Sequence, residues 1–150
     1  MASNAFTSAG TTIGIVSGDP ATYDSTGFEA LTFDTIGEVT DLGEFGREYS
    51  LVTHNPLGDR QTVKRKGSYN DGSISMTVAR TPDDAGQTIL QTALDSDENF
   101  SFNVTLQDGT ELYFQAQVLS YTTNVGTVDQ ITTASVTIEI TDEIIEVAAV

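Results

Sequence analysis

His54 is the single histidine of the chain, so any catalytic reading starts there. As a general base it would need a nucleophile and an orienting acid, and no Gly-x-Ser-x-Gly elbow is present. Beside Asn55-Pro56 it reads as a histidine on a surface turn. The chain has no cysteine, which excludes disulfides, thiolate zinc sites and cysteine nucleophiles. One histidine without cysteine also argues against a transition-metal site within one chain. Asp95-Ser96-Asp97-Glu98-Asn99 begins like a calcium loop, but its sixth position is Phe100 where glycine is needed and its twelfth is Leu106 where glutamate is needed. It reads as a polar connection from helix to strand. Neither a dinucleotide glycine pattern nor a Walker motif occurs. The sequons at Asn99 and Asn103 fall in or beside a strand. These residues imply no cofactor, no metal and no enzyme.

Charge is the stronger signal. The 150 residues carry 22 acids against 6 bases, a net charge of −16. Such a chain is repelled by free nucleic acid and by anionic membrane surfaces. Residues 1–53 hold eight acids and Arg47; residues 81–150 hold twelve acids and no base. The window 54–80 alone is net positive, with Arg60, Lys64, Arg65, Lys66 and Arg80 against Asp59 and Asp71. Such a run is either a solvated basic loop or a contact segment for acidic surface on another copy of the chain.

These residues must be positioned by strands. Threonine, valine and isoleucine dominate, a β-forming composition. Four segments alternate with period two: Ile74/Met76/Val78, Phe100/Phe102/Val104/Leu106, Leu112/Phe114/Ala116/Val118 and Val136/Ile138/Ile140. One buried and one polar face marks them as antiparallel, and Asp108-Gly109 predicts a two-residue hairpin turn between the middle pair. Their polar faces read Ser73, Ser75, Thr77; Ser101, Asn103, Thr105, Gln107; Glu111, Tyr113, Gln115, Gln117; and Ser135, Thr137, Glu139, Thr141. No lysine or arginine interrupts them, although lysine commonly protects exposed strands. This is the surface of an acidic protein with few lysines, or a wall along which something negative passes without sticking.

One helix is predicted, capped by Thr81, with Pro82, Asp83 and Asp84 in its first turn and a stripe of Ala85, Gly86, Ile89, Leu90, Ala93 and Leu94. The first thirty residues read as a strand plus an arm, Leu31–Phe33 and Val39–Leu42 as a hairpin around Gly37, and His54–Gly67 as a long loop between Tyr49–Thr53 and a strand Ser68–Ala79. The length suits one domain. Met1–Phe6 lacks the basic residue and following apolar run of a secretory leader, and the longest apolar stretch, Val147–Val150, is too short for a membrane-crossing helix.

The whole chain resembles the tail tube (major tail) proteins of long-tailed, non-contractile bacteriophages. The resemblance lies in the Thr/Gly-rich start, the segment Phe33–Gly46, the basic loop after His54, Thr81-Pro82-Asp83-Asp84-Ala85-Gly86-Gln87 opening the helix, and the Asp108-Gly109 turn. It implies a mainly β fold: an antiparallel β-sandwich or partial barrel with one flanking α-helix, whose inner sheets join into a continuous barrel in a hexameric ring. It implies one domain over 1–150, with an N-terminal arm 1–18, the basic loop 54–67 and a C-terminal tail 142–150. Rings would stack into the conduit for DNA ejection. Ser73, Ser75, Thr77, Ser101, Asn103, Thr105, Gln107, Glu111, Gln115, Gln117, Thr137 and Glu139 would line the lumen. Arg60, Lys64, Arg65 and Lys66 would contact the next ring. The implied partners are further copies and other tail proteins at the tube ends, with genomic DNA passing unbound and no membrane contact; the place is the virion tail, after assembly in host cytoplasm. Two other readings stay open: another ring-forming tail protein (terminator, connector or secretion-type inner tube), and a monomeric β-sandwich binding module for carbohydrate. The latter wants exposed aromatics, yet there is no tryptophan and only Tyr113 falls at an outward position.

Overall fold

The computed structural model describes residues 3–149; Met1, Ala2 and Val150, at the outer ends of the expected arms, lie outside the described residues. In chain order the elements are β1 (Thr12–Ser17), α1 (Ser25–Glu29), β2 (Asp34–Thr35), β3 (Val39–Asp41), β4 (Glu48–His54), β5 (Val63–Asn70), β6 (Ser73–Ala79), α2 (Ala85–Leu94), β7 (Phe100–Thr105), β8 (Glu111–Asn124), β9 (Thr133–Ile140) and β10 (Ile145–Val147). Seven strands run in the order β2-β1-β7-β8-β9-β6-β3, and β10 pairs with the start of β8, making an eight-stranded antiparallel sheet. β4 and β5 form a separate two-stranded sheet.

The four alternating segments form β6, β7, β8 and β9, with the apolar face inward as their periodicity requires. Ile74, Met76, Val78, Phe102, Phe114 and Ile138 are among the fully buried side chains. The sheet curls around them, and Phe102 stacks on Phe114 at 5.5 Å between ring centroids. Leu90 and Ala93 of α2 complete this core. Burying a side chain of this kind stabilises the fold by about 1.5–3 kcal/mol, so these strands carry most of the folding free energy.

Several local expectations are corrected. The helix starts later than predicted: Asp84, not Thr81, is its N-cap, with Oδ2 accepting from Gln87 N at 2.9 Å. The same carboxylate accepts from Gly37 N at 3.1 Å. Gln87, buried within α2, donates to Gly37 O and Ala79 O, each at 3.0 Å, and its Oε1 accepts from Thr81 N at 2.9 Å. These bonds hold residues 36–38 over the start of the helix. The segments on either side of Gly37 therefore form no hairpin; β2 pairs with β1 and β3 pairs with β6, on opposite edges of the sheet.

The expected arm 1–18 contains β1, whose Ile13 and Ile15 enter the core between β2 and β7. Residues 19–30, read without a helix, include α1, capped by Asp24 accepting from Gly27 N at 2.8 Å. The tail 142–150 contains β10, paired through Ile145 and Tyr113. At Asp108-Gly109 the loop is one residue longer than predicted: Leu106 N donates to Thr110 O at 2.9 Å, and Gly109 takes φ 95°, the left-handed position of a three-residue hairpin loop.

Candidate assembly surfaces

The outer face of the sheet has two halves. Across β6, β9 and β8 the register aligns Ser73–Glu139–Gln117, Ser75–Thr137–Ser120 and Thr77–Ser135–Thr122. A bulge at Leu119 shifts the β8 register so that Tyr121 turns inward while Ser120 and Thr122 stay in the outer rows. All nine row residues are partly or fully exposed, all have short or medium polar side chains, and Glu139 is the only charge. Ser73, Ser75, Thr77, Gln117, Thr137 and Glu139 thus share one face.

The other half, over β1, β7 and the start of β8, is covered. Phe28 of α1 stacks on Tyr113 at 5.5 Å, Tyr23 meets Phe28 edge-on at 5.1 Å, and Phe33 lies 5.9 Å from Tyr113. Ser101 and Gln115, expected on the lumen wall, are buried under this layer, Ser101 fully and Gln115 all but a small fraction. Ser101 Oγ donates to Gly18 O at 2.8 Å and Gln115 Nε2 to Asp19 Oδ1 at 2.7 Å, so each buried polar group is satisfied. Asn103 packs against Gly14, where a Cβ would lie 2.5 Å from Asn103 Oδ1. Glu111 Oε2 accepts from the Tyr113 hydroxyl at 2.6 Å, and burial and this carboxylate push the tyrosine pKa well up. Tyr23 is also raised, chiefly by burial. Thr105 is half-buried beside this layer, and Gln107 Nε2 donates to Thr7 Oγ1 at 3.3 Å in the adjoining turn. Tyr113, counted as an outward aromatic, is a core residue of this second layer.

The basic segment is only partly a loop. Lys64, Arg65 and Lys66 lie on β5, paired opposite Thr53, Val52 and Leu51 of β4. Arg60 and the turn 55–62 form the tip, and the expected strand Ser68–Ala79 is broken at Asp71-Gly72, where β5 ends and β6 begins. The result is a projecting hairpin, here called the arm, whose β4 residues are all exposed. Leu51, Val52 and Leu57 are 65%, 52% and 106% exposed, so apolar side chains stand in solvent between the bases. Lys66 Nζ sits 4.7 Å from the Tyr49 ring centre. His54 ends β4 and is exposed.

Sequence reasoning picked out the arm's bases but missed its apolar residues. It also missed Val125, Val128 and Ile131, exposed at the β8–β9 turn. The available signal was apolar residues lying outside any periodic pattern. In the turn, Gly126 adopts φ 69° and Gln130 Oε1 accepts from Thr127 N at 3.1 Å.

Residues 2–149 match the family of phage tail tube proteins, TTP. Among the solved structures similar to this chain are three tail and injection-system components. A chain of the anti-feeding prophage (AFP) baseplate, six-fold symmetrised, has a TM-score of 0.69 at 10% identity, covering 99% of this chain and 98% of that one. The sheath/tube terminator of PVC, an extracellular contractile injection system, gives 0.68 at 12% identity, covering 99% and 100%. The SPP1 tail tube gives 0.63 at 15% identity, covering 91% and 75%. At these identities the likeness is one of fold. No match is found among curated proteins.

Proposed function

The chain belongs to the phage tail tube protein family, and from this premise we propose how it builds a tube: as hexameric rings, stacked, whose lumen is walled by the open half of the outer sheet face. It is a structural component of the virion tail and works by assembly and passive electrostatics, without catalysis. The observation that carries the reading is the three-row face of β6, β9 and β8, polar throughout and free of positive charge. A DNA duplex carries one negative charge per about 1.7 Å of axis and is held by lysine and arginine, so a wall without them lets it slide. With β3 beside β6, each copy offers four strands to the wall. Six copies at ~4.8 Å strand spacing and ~40° tilt give a barrel roughly 48 Å across, with a lumen of roughly 38 Å once side chains are added. Duplex DNA is narrower.

Ser101 and Gln115 are left out of the proposed wall because α1 and its aromatic layer cover them. Asn103, Thr105, Gln107 and Glu111 adjoin that layer and are left out with them. The arm, with Arg60, Lys64, Arg65 and Lys66, meets acidic surface on the next ring; a chain of net charge −16 offers such surface on every copy. The N-terminal residues before β1 and the C-terminal segment around β10 join neighbouring copies, and other tail proteins cap the ends. The subunits assemble in host cytoplasm.

The test places lysine in the wall. Ser75→Lys adds six cations to every ring, and these tubes assemble but release DNA slowly, with the defect relieved by salt. Ser75→Asn leaves release unchanged. Slow release from Thr105→Lys but not Ser75→Lys moves the wall to the covered half. Single rings that never stack assign the chain to a tube terminator.

A further inference from the structure

The base of the arm is a hinge. The chain enters β4 just after Gly46, at φ 149°, and leaves β5 through Gly72, at φ 88°. A Cβ on Gly72 would sit 3.3 Å from Gly46 O, so the two glycines lie against each other. Beyond them β4 and β5 pair only with each other among the described residues. Gly46 N donates to Asp71 O at 3.3 Å and Ile140 N to Gly72 O at 3.0 Å, and among the described residues no backbone bond ties the arm to the body beyond that point.

One side chain spans it. Arg47 makes both ion pairs found among the described residues: Nε lies 3.6 Å from Asp71 Oδ1 and Nη2 lies 3.2 Å from Glu143 Oε1. Its guanidinium sits 4.2 Å over the Tyr69 ring centre, and Nη1 is 3.4 Å from the Tyr49 hydroxyl. Tyr49 and Tyr69 belong to the arm, Asp71 to the hinge, and Glu143 to the segment between β9 and β10. Glu143 is itself held to the body, since its backbone oxygen accepts from the Tyr23 hydroxyl at 2.5 Å. A planar fork with several donors can serve these partners together, which a point charge such as lysine cannot.

We propose that Arg47 is a latch that sets the angle of the arm and couples it to the C-terminal segment. Pulling Glu143 away loosens the arm, and re-aiming the arm loosens the C-terminal segment, because such coupling is reciprocal. With the side chains of Arg47 and Glu143 34% and 53% exposed, a neighbouring molecule can reach and exchange the pair. The consequence rests on the tube reading: two segments that meet neighbouring copies converge on one guanidinium, so docking one presets the other.

The chain has no cysteine, which makes paired spin labels clean. Labels at Leu57→Cys, on the arm, and Gln91→Cys, on α2, report the arm's angle in dilute free subunits by pulsed electron spin resonance. The parent is expected to give one narrow distance distribution, Arg47→Gln a broad one and Glu143→Gln an intermediate one. Asp142→Asn is expected to match the parent, since the Asp142 carboxylate contacts no base among the described residues and meets Glu143 N at 2.8 Å through an oxygen that asparagine keeps. Amide exchange in β8 and β9 checks that each variant is folded. If Arg47→Gln is not, Tyr69→Leu takes its place, removing the ring while keeping the charges. A narrow distribution in the arginine or tyrosine variant overturns the latch. A Glu143→Gln result equal to Asp142→Asn overturns the coupling. Tubes are not needed for either result, so failure to form tubes would count against the tube reading alone.

Discussion

The ladders β4–β5 and β6–β9 are both antiparallel, similar in length and cross-strand hydrogen-bonded, yet they do opposite work. In β6–β9 every second residue is buried, and a slip of one position would turn Ile74, Met76, Val136 and Ile138 out to water. In β4–β5 neither face is buried, and the register shifts between Tyr49 and Leu51. A lone two-stranded sheet is marginal in water. The ladder's hydrogen bonds are common to both; what differs is the buried apolar face, which β6–β9 has and β4–β5 lacks.

The sharpest way to break this contrast is to truncate one apolar residue in the main sheet and one in the arm. Phe102→Ala, in the core against Phe114, is expected to cost about 3–5 kcal/mol in denaturant unfolding. Leu51→Ala on the arm is expected to cost within about 0.5 kcal/mol and to slow tube growth instead. Equal costs would show that the arm packs on its own subunit.

Gly86 tests how tightly the body is closed. A Cβ there would stand 2.5 Å from Thr35 O and 2.6 Å from Ile36 Cα. Gly86→Ala is therefore expected to destabilise by about 1–3 kcal/mol, against the usual gain from replacing a helical glycine by alanine. Gly58, with open space around it in the arm's turn, is the matched control.

Replacing Arg60, Lys64, Arg65 and Lys66 together by glutamate is expected to leave the unfolding midpoint nearly unchanged and to abolish stacking, read by electron microscopy. Normal tubes from that variant would remove the arm from the inter-ring contact.

The smallest effect lies at α1, in the layer that separates the covered face from the open one. The backbone N–H of Gly27, then the Thr22 hydroxyl, hold the Asp24 carboxyl below the usual aspartate pKa. A lowered folded pKa adds stability above the unfolded value, near about 3.9, and that stability is lost as pH falls through the folded one. The Gly27 amide resonance is expected to titrate in that acid range, ahead of any change in β6 or β9.

What could be read without coordinates followed burial. The alternation of Ile74/Met76/Val78 or Val136/Ile138/Ile140 is written into the chain because a half-buried strand needs it, and the resemblance carried by Phe33–Gly46 and the helix start led to the right family. The stretch 63–67 reads as loop instead of strand because β5 buries none of its side chains, and a strand with no buried face has no period to display. Ser101 and Gln115 looked exposed for the converse reason: their own strands make them polar, while the layer that buries them comes from Gly18, Asp19 and Phe28, about ninety residues away in the sequence. Gln87 gave no sign of being buried, since its place is explained by distant backbone groups, the Gly37 and Ala79 carbonyls and the Thr81 N–H.

The sequence by itself determined the strand-rich class, the inward faces of β6 to β9, the lone basic stretch and the absence of thiol chemistry, all properties of local pattern and composition. Tertiary structure alone decided which half of the polar face stays open, that the basic stretch projects as a paired arm, and that Arg47 joins that arm to Glu143. Those depend on contacts between segments far apart in the chain, and a local pattern records which face is polar without recording what comes to cover it.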